Sequence, residues 1–176
     1  PYLLLTPGPL TTSRTVRQAM MQDWCTWDDD YNALVQELRR RLVALASPSD
    51  GYTAVPMQGS GTFSVESAVG TLLPRDGKLL VASNGAYGRR MAQIALRLRI
   101  PCVELAHAET EPLDPDRVED ALRREPDVGH VAVVHCETTT GMLNDVAAVG
   151  RVVKRARRTF LVDAMSSFGG LPFTME

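Results

Sequence analysis

Short apolar runs alternate along the chain with segments of helical periodicity. Runs of apolar and β-branched residues predict five strands, at 52–57, 78–83, 101–106, 130–135 and 159–163. Each of the first four is followed by a segment with helical spacing, at 63–73, 89–99, 114–125 and 145–158. This alternation, with nearly continuous apolar strands, predicts an α/β fold: a mostly parallel sheet with helices on both faces.

The chain begins with a segment that shows neither strand nor helix patterning. Residues 1–27 are rich in proline and threonine, so we expect an N-terminal arm of extended and turn structure. Residues 28–176 are predicted to form one domain, which begins with a helix. One helical stripe carries its leucines, Leu34, Leu38, Leu42 and Leu45.

Two helix starts carry capping signals. The acidic residues at 28–30 are expected to cap the leucine-striped helix and to complement its dipole. Asp114 is the predicted cap of a later helix, and Pro115 is its predicted first residue.

Composition and charge narrow the class of protein. The 176 residues are 44% apolar and 23% charged, as in ordinary globular domains. A net charge of −2 argues against a nucleic-acid surface, and the basic run at 151–158 has the spacing of a solvated helix face. No apolar run approaches the roughly 18 to 20 residues that cross a membrane, so we expect no membrane partner.

The cysteines and histidines indicate neither disulfides nor a metal. Cys25, Cys102 and Cys136 form no CxxC pair, which favours reduced thiols and a cytoplasmic location. The three histidines have no metal-ligand spacing with one another or with the cysteines, so no metal site is predicted.

Candidate chemistry is concentrated in four loops that follow predicted strands. They are QGSGT (58–62), SNGAYG (83–88), HCETTTG (135–141) and DAMSSFGG (163–170). Parallel strands with right-handed connections place such loops at one edge of the sheet, where ligands bind. We therefore expect them to form one site.

The first loop suits a phosphate. Gly59 and Gly61 let the backbone approach a ligand closely, and Ser60 and Thr62 add hydroxyl donors at a helix N-terminus. The segment is neither a P-loop nor GxGxxG, and a plain helix start has the same composition. It also lacks the GxSxG spacing of a serine hydrolase.

The other loops offer an aromatic ring, hydroxyls and a carboxylate. Tyr87, between glycines, could stack on a planar ring or be an ordinary half-buried tyrosine. The threonines at 138–140 could bind a ligand oxygen or stabilise a turn. Asp163, at a strand end, could hold a pyridine nitrogen protonated. A phosphate cradle, a stacking ring, a hydroxyl and an acid together match the demands of pyridoxal 5'-phosphate.

Several segments resemble one enzyme family. TPGP (6–9) and ETTTG (137–141) resemble the class V, fold-type-I aminotransferases. CTWDDDY (25–31) and VDAMSSFGG narrow the resemblance to the branch that transfers the amino group of 2-aminoethylphosphonate to pyruvate. Alanine–glyoxylate and serine–pyruvate enzymes of the same class, or a non-catalytic phosphate-binding α/β module, remain alternatives.

The resemblance implies the large domain of that fold type, incomplete in this chain, and six residues in contact with pyridoxal 5'-phosphate. These are Ser60, Gly61 and Thr62 at the phosphate, Tyr87 on the ring, Thr138 at the phenolic oxygen and Asp163 at the ring nitrogen.

The resemblance also implies partners. A small-molecule amino donor and a 2-oxo acid would be the substrates, and a homodimer the assembly. Gly8 would line the substrate pocket. Arg89 and Arg90 are candidates for binding a phosphonate, although either could be a surface residue of the following helix.

The catalytic lysine of the family, which forms a Schiff base with the cofactor, has no match here. The chain has two lysines, Lys78 and Lys154, and neither falls in a candidate loop. In relatives the lysine lies in a later loop, which would fall beyond Glu176. We therefore expect this sequence to be the N-terminal part of a longer protein with a second, smaller domain.

Overall fold

A computed structural model describes residues 2–6, 8–172 and 174–175. The chain divides into an arm unit, Pro1–Pro56 with Gly169–Glu176, and a sheet unit, Met57–Phe168. The predicted boundary after residue 27 falls inside the arm unit.

Six helices and six strands are formed by the described residues. The helices are α1 (Arg14–Ala19), α2 (Asp29–Ala46), α3 (Gly61–Leu72), α4 (Ala86–Arg97), α5 (Pro115–Arg124) and α6 (Val146–Arg155). The strands are β1 (Lys78–Ser83), β2 (Cys102–Ala106), β3 (Val128–Val134), β4 (Cys136–Glu137), β5 (Met142–Leu143) and β6 (Thr159–Asp163).

Four strands of the sheet unit form one parallel sheet in the order β2-β1-β3-β6. The last residues of neighbouring strands pair, Ser83 with Ala106 and Val134 with Asp163. The carboxyl ends of the strands therefore lie at one edge. The short strands β4 and β5 pair antiparallel just beyond β3, within a segment predicted to be a loop.

Helices cover both faces of this sheet, which confirms the predicted α/β fold class. On one face, α3 and α4 pack on Leu79, Val81, Ala132 and Val134. Alternate strand positions are buried toward the opposite face, where α6 packs on β6 and on α5.

The strand predicted at 52–57 is absent, because that segment has no sheet partner. Its residues form no strand, Val55 is exposed, and Pro56 has no N–H to donate.

The arm unit contains a helix that the sequence did not predict. The hydroxyl of Ser13 accepts a hydrogen bond from the Val16 amide and caps α1, within the predicted extended arm. In α2, the N-cap residue Asp28 makes no side-chain capping bond, so the predicted capping is not observed. Asp29 and Asp30 lie in the first turn of α2, where they complement the helix dipole as predicted. The Arg39 guanidinium donates to the Ala54 carbonyl at 2.8 Å and ties α2 to the segment that follows it.

Within the described part of the chain, no helix combines the length and apolar character needed to cross a bilayer.

Candidate active site

The loop before α3 places a helix N-terminus at the carboxyl edge of the sheet. Ser60 is the N-cap, and its hydroxyl accepts from the Phe63 amide at 3.3 Å, which leaves the hydroxyl proton for another acceptor. Gly59 has a φ of +146°, and a Cβ there would lie 2.9 Å from Phe63 Cδ1. The first N–H groups of a helix lack intrahelical partners, so this loop presents donors to an anion.

Gly61 allows another loop to approach the start of α3 closely. A Cβ built at position 61 would lie 2.6 Å from Met165 Cε, so the loop after β6 approaches the helix start closely. The two loops predicted to share a site therefore do meet.

Tyr87 lies on a helix rather than in a loop. Helix α4 begins at Ala86, three residues before the predicted start, and this puts Tyr87 in its first turn, half-buried. The Arg90 guanidinium carbon is 5.0 Å from the Tyr87 ring centroid, and its Nη1 donates to Thr62 Oγ1 at 3.3 Å. Arg90 thus connects the start of α3, where a phosphate is expected to bind, with the tyrosine that is expected to stack on a ring.

Glu137 was not among the predicted site residues, yet it lies at the centre of the site's framework. Its side chain is fully buried, and its carboxylate accepts from the amides of Tyr87 at 3.2 Å and Gly88 at 3.4 Å. Gly85, the N-cap of α4, has no side chain with which to cap the helix. The Glu137 carboxylate takes that place from 52 residues further along the chain.

Thr138 and Asp163 are carried by adjoining segments. Thr138 Oγ1 is hydrogen-bonded to Ser166 Oγ, which joins the turn after β4 to the loop after β6. Asp163 is half-buried at the end of β6, where its Oδ1 accepts from the Met165 amide at 3.0 Å. This hydrogen bond orients the carboxylate at the end of β6.

The buried residue His135 is hydrogen-bonded to the loop that follows β6. The His135 amide donates to the Asp163 carbonyl at 2.9 Å, and His135 Nδ1 is hydrogen-bonded to Ser167 Oγ at 2.9 Å. Burial lowers the pKa of His135, which favours the neutral imidazole.

A buried amide pair fixes the strand ends relative to one another. Asn84 Nδ2 donates to Asn144 Oδ1 at 2.8 Å, and Asn144 Nδ2 donates to the Val134 carbonyl at 2.9 Å. The end of β1 is therefore tied to the end of β3. The site rests on a satisfied polar network, which favours a single arrangement of its loops.

The predicted substrate residues have other contacts. Arg89 Nη2 pairs with Glu109 Oε1 at 2.6 Å on the surface, and Arg90 is engaged with Thr62 and Tyr87. Gly8 is exposed in the arm unit. Their roles in substrate binding stay predictions.

The two lysines lie away from these loops. Lys78 begins β1, at the opposite edge of the sheet, where its Nζ pairs with Glu125 at 2.6 Å and Asp127 at 3.1 Å. These partners raise the pKa of Lys78. Lys154 is exposed in the last turn of α6.

The residue types at this edge suit the chemistry of pyridoxal 5'-phosphate. The helix start offers N–H and hydroxyl donors, and it lies so close to the loop after β6 that a Cβ at position 61 would be 2.6 Å from Met165 Cε. A half-buried ring, a threonine hydroxyl and a strand-end carboxylate complete the donor and acceptor set.

Comparison with known families identifies the family. The family model described as "Aminotransferase class-V" matches residues 26–176. The chain belongs to the class V aminotransferases. This confirms the predicted family, and with it the cofactor of the family, pyridoxal 5'-phosphate.

Two proteins with transaminase names share high sequence identity with this chain. It is 64% identical over 98% of its length to a protein named 2-aminoethylphosphonate–pyruvate transaminase from Syntrophobacter fumaroxidans, of which it covers 46%. It is 52% identical over 99% of its length to a bifunctional phosphonoacetaldehyde hydrolase/aminoethylphosphonate transaminase from Clostridioides difficile, of which it covers 28%. The chain thus spans less than half the length of these relatives.

Among solved structures, alanine–glyoxylate aminotransferase from Nostoc sp. matches 97% of this class V chain with a TM-score of 0.90 at 26% identity. The chain covers 45% of that structure.

Proposed function

We propose that the protein transfers the amino group of 2-aminoethylphosphonate to pyruvate, giving phosphonoacetaldehyde and alanine. The observation that carries the proposal is the 64% identity, over 98% of the chain, to a relative named for this reaction. The C. difficile relative, whose name joins the transaminase to a phosphonoacetaldehyde hydrolase, supports the same product. The exchange is balanced: the donor's amine carbon becomes an aldehyde and the keto carbon of pyruvate becomes an amine.

Ser60, Gly61 and Thr62 would hold the cofactor phosphate. Their support is the helix start described above, where N–H groups without intrahelical partners lie beside the hydroxyls of Ser60 and Thr62. Thr62 also accepts a hydrogen bond from Arg90, which brings a positive charge to the phosphate.

Tyr87, Thr138 and Asp163 would bind the pyridine ring. Tyr87 would stack on its face, and Thr138 would donate to the phenolic oxygen. Asp163 would accept a hydrogen bond from the ring nitrogen and keep it protonated, because a carboxylate stabilises an adjacent cation strongly where water is excluded. When bound, pyridoxal 5'-phosphate supplies the electron sink that lets the carbon beside the amino group lose a proton.

Two arginines and a glycine are proposed to bind the substrate. Arg89 or Arg90 would bind the phosphonate, although each already has a partner within the chain. Gly8 would line the substrate pocket. We assign no proton-transfer lysine to this chain, since Lys78 is ion-paired at the opposite edge of the sheet.

We further propose a homodimeric, cytoplasmic protein. Three free cysteines support the reducing compartment. Light scattering of the purified protein tests the assembly, and a monomer at micromolar concentration would contradict it.

Steady-state kinetics of the purified full-length protein test the reaction. We expect kcat/KM for 2-aminoethylphosphonate with pyruvate to exceed that for alanine with glyoxylate, or serine with pyruvate, by at least about 100-fold. A preference for either of the other pairs would reassign the substrate within class V. No turnover of any pair, with cofactor bound, would favour a binding module.

A further inference from the structure

We propose that Glu137 is a positioning residue that fixes the ring-stacking Tyr87 relative to Thr138. The inference rests on the proposed cofactor site, to which it adds a residue that touches neither cofactor nor substrate. Glu137 would act through its contacts with two loops that carry cofactor-binding residues.

The side chain of Glu137 holds the first turn of α4. Its Oε1 accepts from the Tyr87 amide at 3.2 Å, and its Oε2 accepts from the Gly88 amide at 3.4 Å. A negative charge at a helix N-terminus is stabilised by the helix dipole and by the unpaired amides there. The residue that receives this support is Tyr87 itself.

The helices α3, α5 and α6 are each capped by the residue directly before them. Ser60, Asp114 and Asp145 each accept a hydrogen bond from an amide in the first turn of the helix that they precede. Helix α4 follows Gly85, which has no capping side chain. The start of α4, and therefore the placement of Tyr87, depends on a carboxylate from a distant segment.

The backbone of Glu137 holds the second loop. Its carbonyl accepts from the Gly141 amide at 2.8 Å and the Thr140 amide at 3.3 Å, which closes the turn that contains Thr138. The Thr139 hydroxyl donates to Oε1 at 3.0 Å. One residue thus anchors both the turn with Thr138 and the helix with Tyr87.

Glu137 is closely packed against the start of α4. Its side chain is fully buried, and Gly85 adjoins it so closely that a Cβ would lie 2.2 Å from Glu137 Cγ and 2.4 Å from Cδ. Because a buried carboxylate without its partners is costly, its bonds to the α4 amides are strongly favoured. The spacing between the two cofactor-binding loops is therefore set by this side chain.

The test uses the variants Glu137→Ala, Glu137→Gln, Tyr87→Ala and the double variant Glu137→Ala/Tyr87→Ala in the full-length protein. Val149→Ala, in the buried face of α6, is the matched control for lost stability. The two readouts are the dissociation constant for pyridoxal 5'-phosphate, by absorbance titration, and amide exchange at Tyr87 and Gly88 in cofactor-free protein.

We expect Glu137→Ala to weaken cofactor binding at least about tenfold and to speed amide exchange at Tyr87 and Gly88, while Val149→Ala does neither. Glu137→Gln should fall between, because its amide nitrogen cannot accept a hydrogen bond. In the Tyr87→Ala background, removing the Glu137 side chain should change the affinity less than about twofold. The Tyr87 ring is then gone, and the carbonyl of residue 137 still closes the turn that contains Thr138.

Additive effects of the two substitutions on affinity would overturn the inference, as would unchanged exchange at Tyr87 and Gly88 in Glu137→Ala. If Glu137→Ala does not fold, the same comparisons are made with Glu137→Gln. If the unaltered protein binds no pyridoxal 5'-phosphate, the proposed function fails, and amide exchange alone then decides whether Glu137 holds the start of α4.

Discussion

Gly85 and Glu137 adjoin each other at the start of α4, with only 2.2 Å between a Cβ built at position 85 and Glu137 Cγ. The two residues are complementary: the glycine leaves space for a carboxylate that then caps the glycine's own helix. A larger residue at position 85 would clash with the Glu137 side chain, and without Glu137 the start of α4 would have no carboxylate cap.

Gly85→Ala should therefore destabilise the protein by about 1–3 kcal/mol, since overpacking would displace a buried side chain and its hydrogen bonds. Chemical denaturation measures the change. Gly129→Ala is the control, because a Cβ at position 129 meets no atom within 4 Å. Equal stability of the two variants would show that Glu137 can move aside.

Gly61→Ala, in contrast to Gly85→Ala, should change the stability of the fold little and weaken cofactor binding strongly. Its Cβ would meet the flexible end of Met165, which can move, yet it would occupy the space beside the α3 amides. We expect pyridoxal 5'-phosphate to bind at least about tenfold more weakly, which is about 1.4 kcal/mol, with little change in unfolding free energy. Unaltered affinity in a titration would remove Gly61 from the phosphate site.

Asp163→Asn should leave the fold intact and slow catalysis. The amide oxygen of asparagine can still accept from the Met165 N–H, so the loop after β6 should keep its geometry. The neutral side chain cannot stabilise a protonated ring nitrogen, and we expect kcat to fall at least about 100-fold. Comparison of kcat with the thermal midpoint separates the two effects, and full activity in this variant would contradict the role of Asp163.

Stability should fall as pH is lowered through about 6.5, the ordinary pKa of histidine. Burial lowers the pKa of His135 and of His107, so the unfolded chain binds protons at a higher pH than the folded protein does. The stabilisation is complete above the ordinary pKa and is lost below it.

His135→Asn should reduce this pH dependence of the unfolding free energy between about pH 7.5 and 5.5, above the range in which carboxylates titrate. Some slope should remain because His107 still titrates. An unchanged slope would mean that His135 is protonated equally in both states.

Local sequence signals predicted the parts of the fold that depend on local interactions. The apolar runs at 78–83 and 159–163 coincide with β1 and β6. Asp114 accepts from the Asp116 amide and caps a helix that begins at Pro115, as predicted. Periodicity and capping chemistry lie within a few residues of each other, so the sequence displays them directly.

Features that depend on distant partners could not be predicted in this way. The start of α4 at Ala86 was missed because glycine indicates a turn, and the carboxylate that caps the helix lies far along the chain at Glu137. The run at 52–57 has strand propensity but no neighbouring strand, and β propensity depends on such partners. Glu137 stands in the ETTTG motif, but spacing alone does not connect that motif with a helix start that follows a glycine.

For the site, the sequence identified the loops better than the contacts between them. The predicted convergence is supported by three pairs: Gly61 with Met165, Arg90 with Thr62, and Thr138 with Ser166. The surface pairing of Arg89 with Glu109 could not be read from spacing alone, since 20 residues separate them.

A crystal structure of the full-length protein with pyridoxal 5'-phosphate tests the central claim most directly. We expect the phosphate within about 3.2 Å of Ser60, Gly61 or Thr62, the Tyr87 ring stacked on the pyridine, and the Asp163 carboxylate within hydrogen-bond distance of the ring nitrogen. A cofactor bound elsewhere, or bound here with Asp163 directed away from the nitrogen, would contradict the assignment of this edge as the cofactor site.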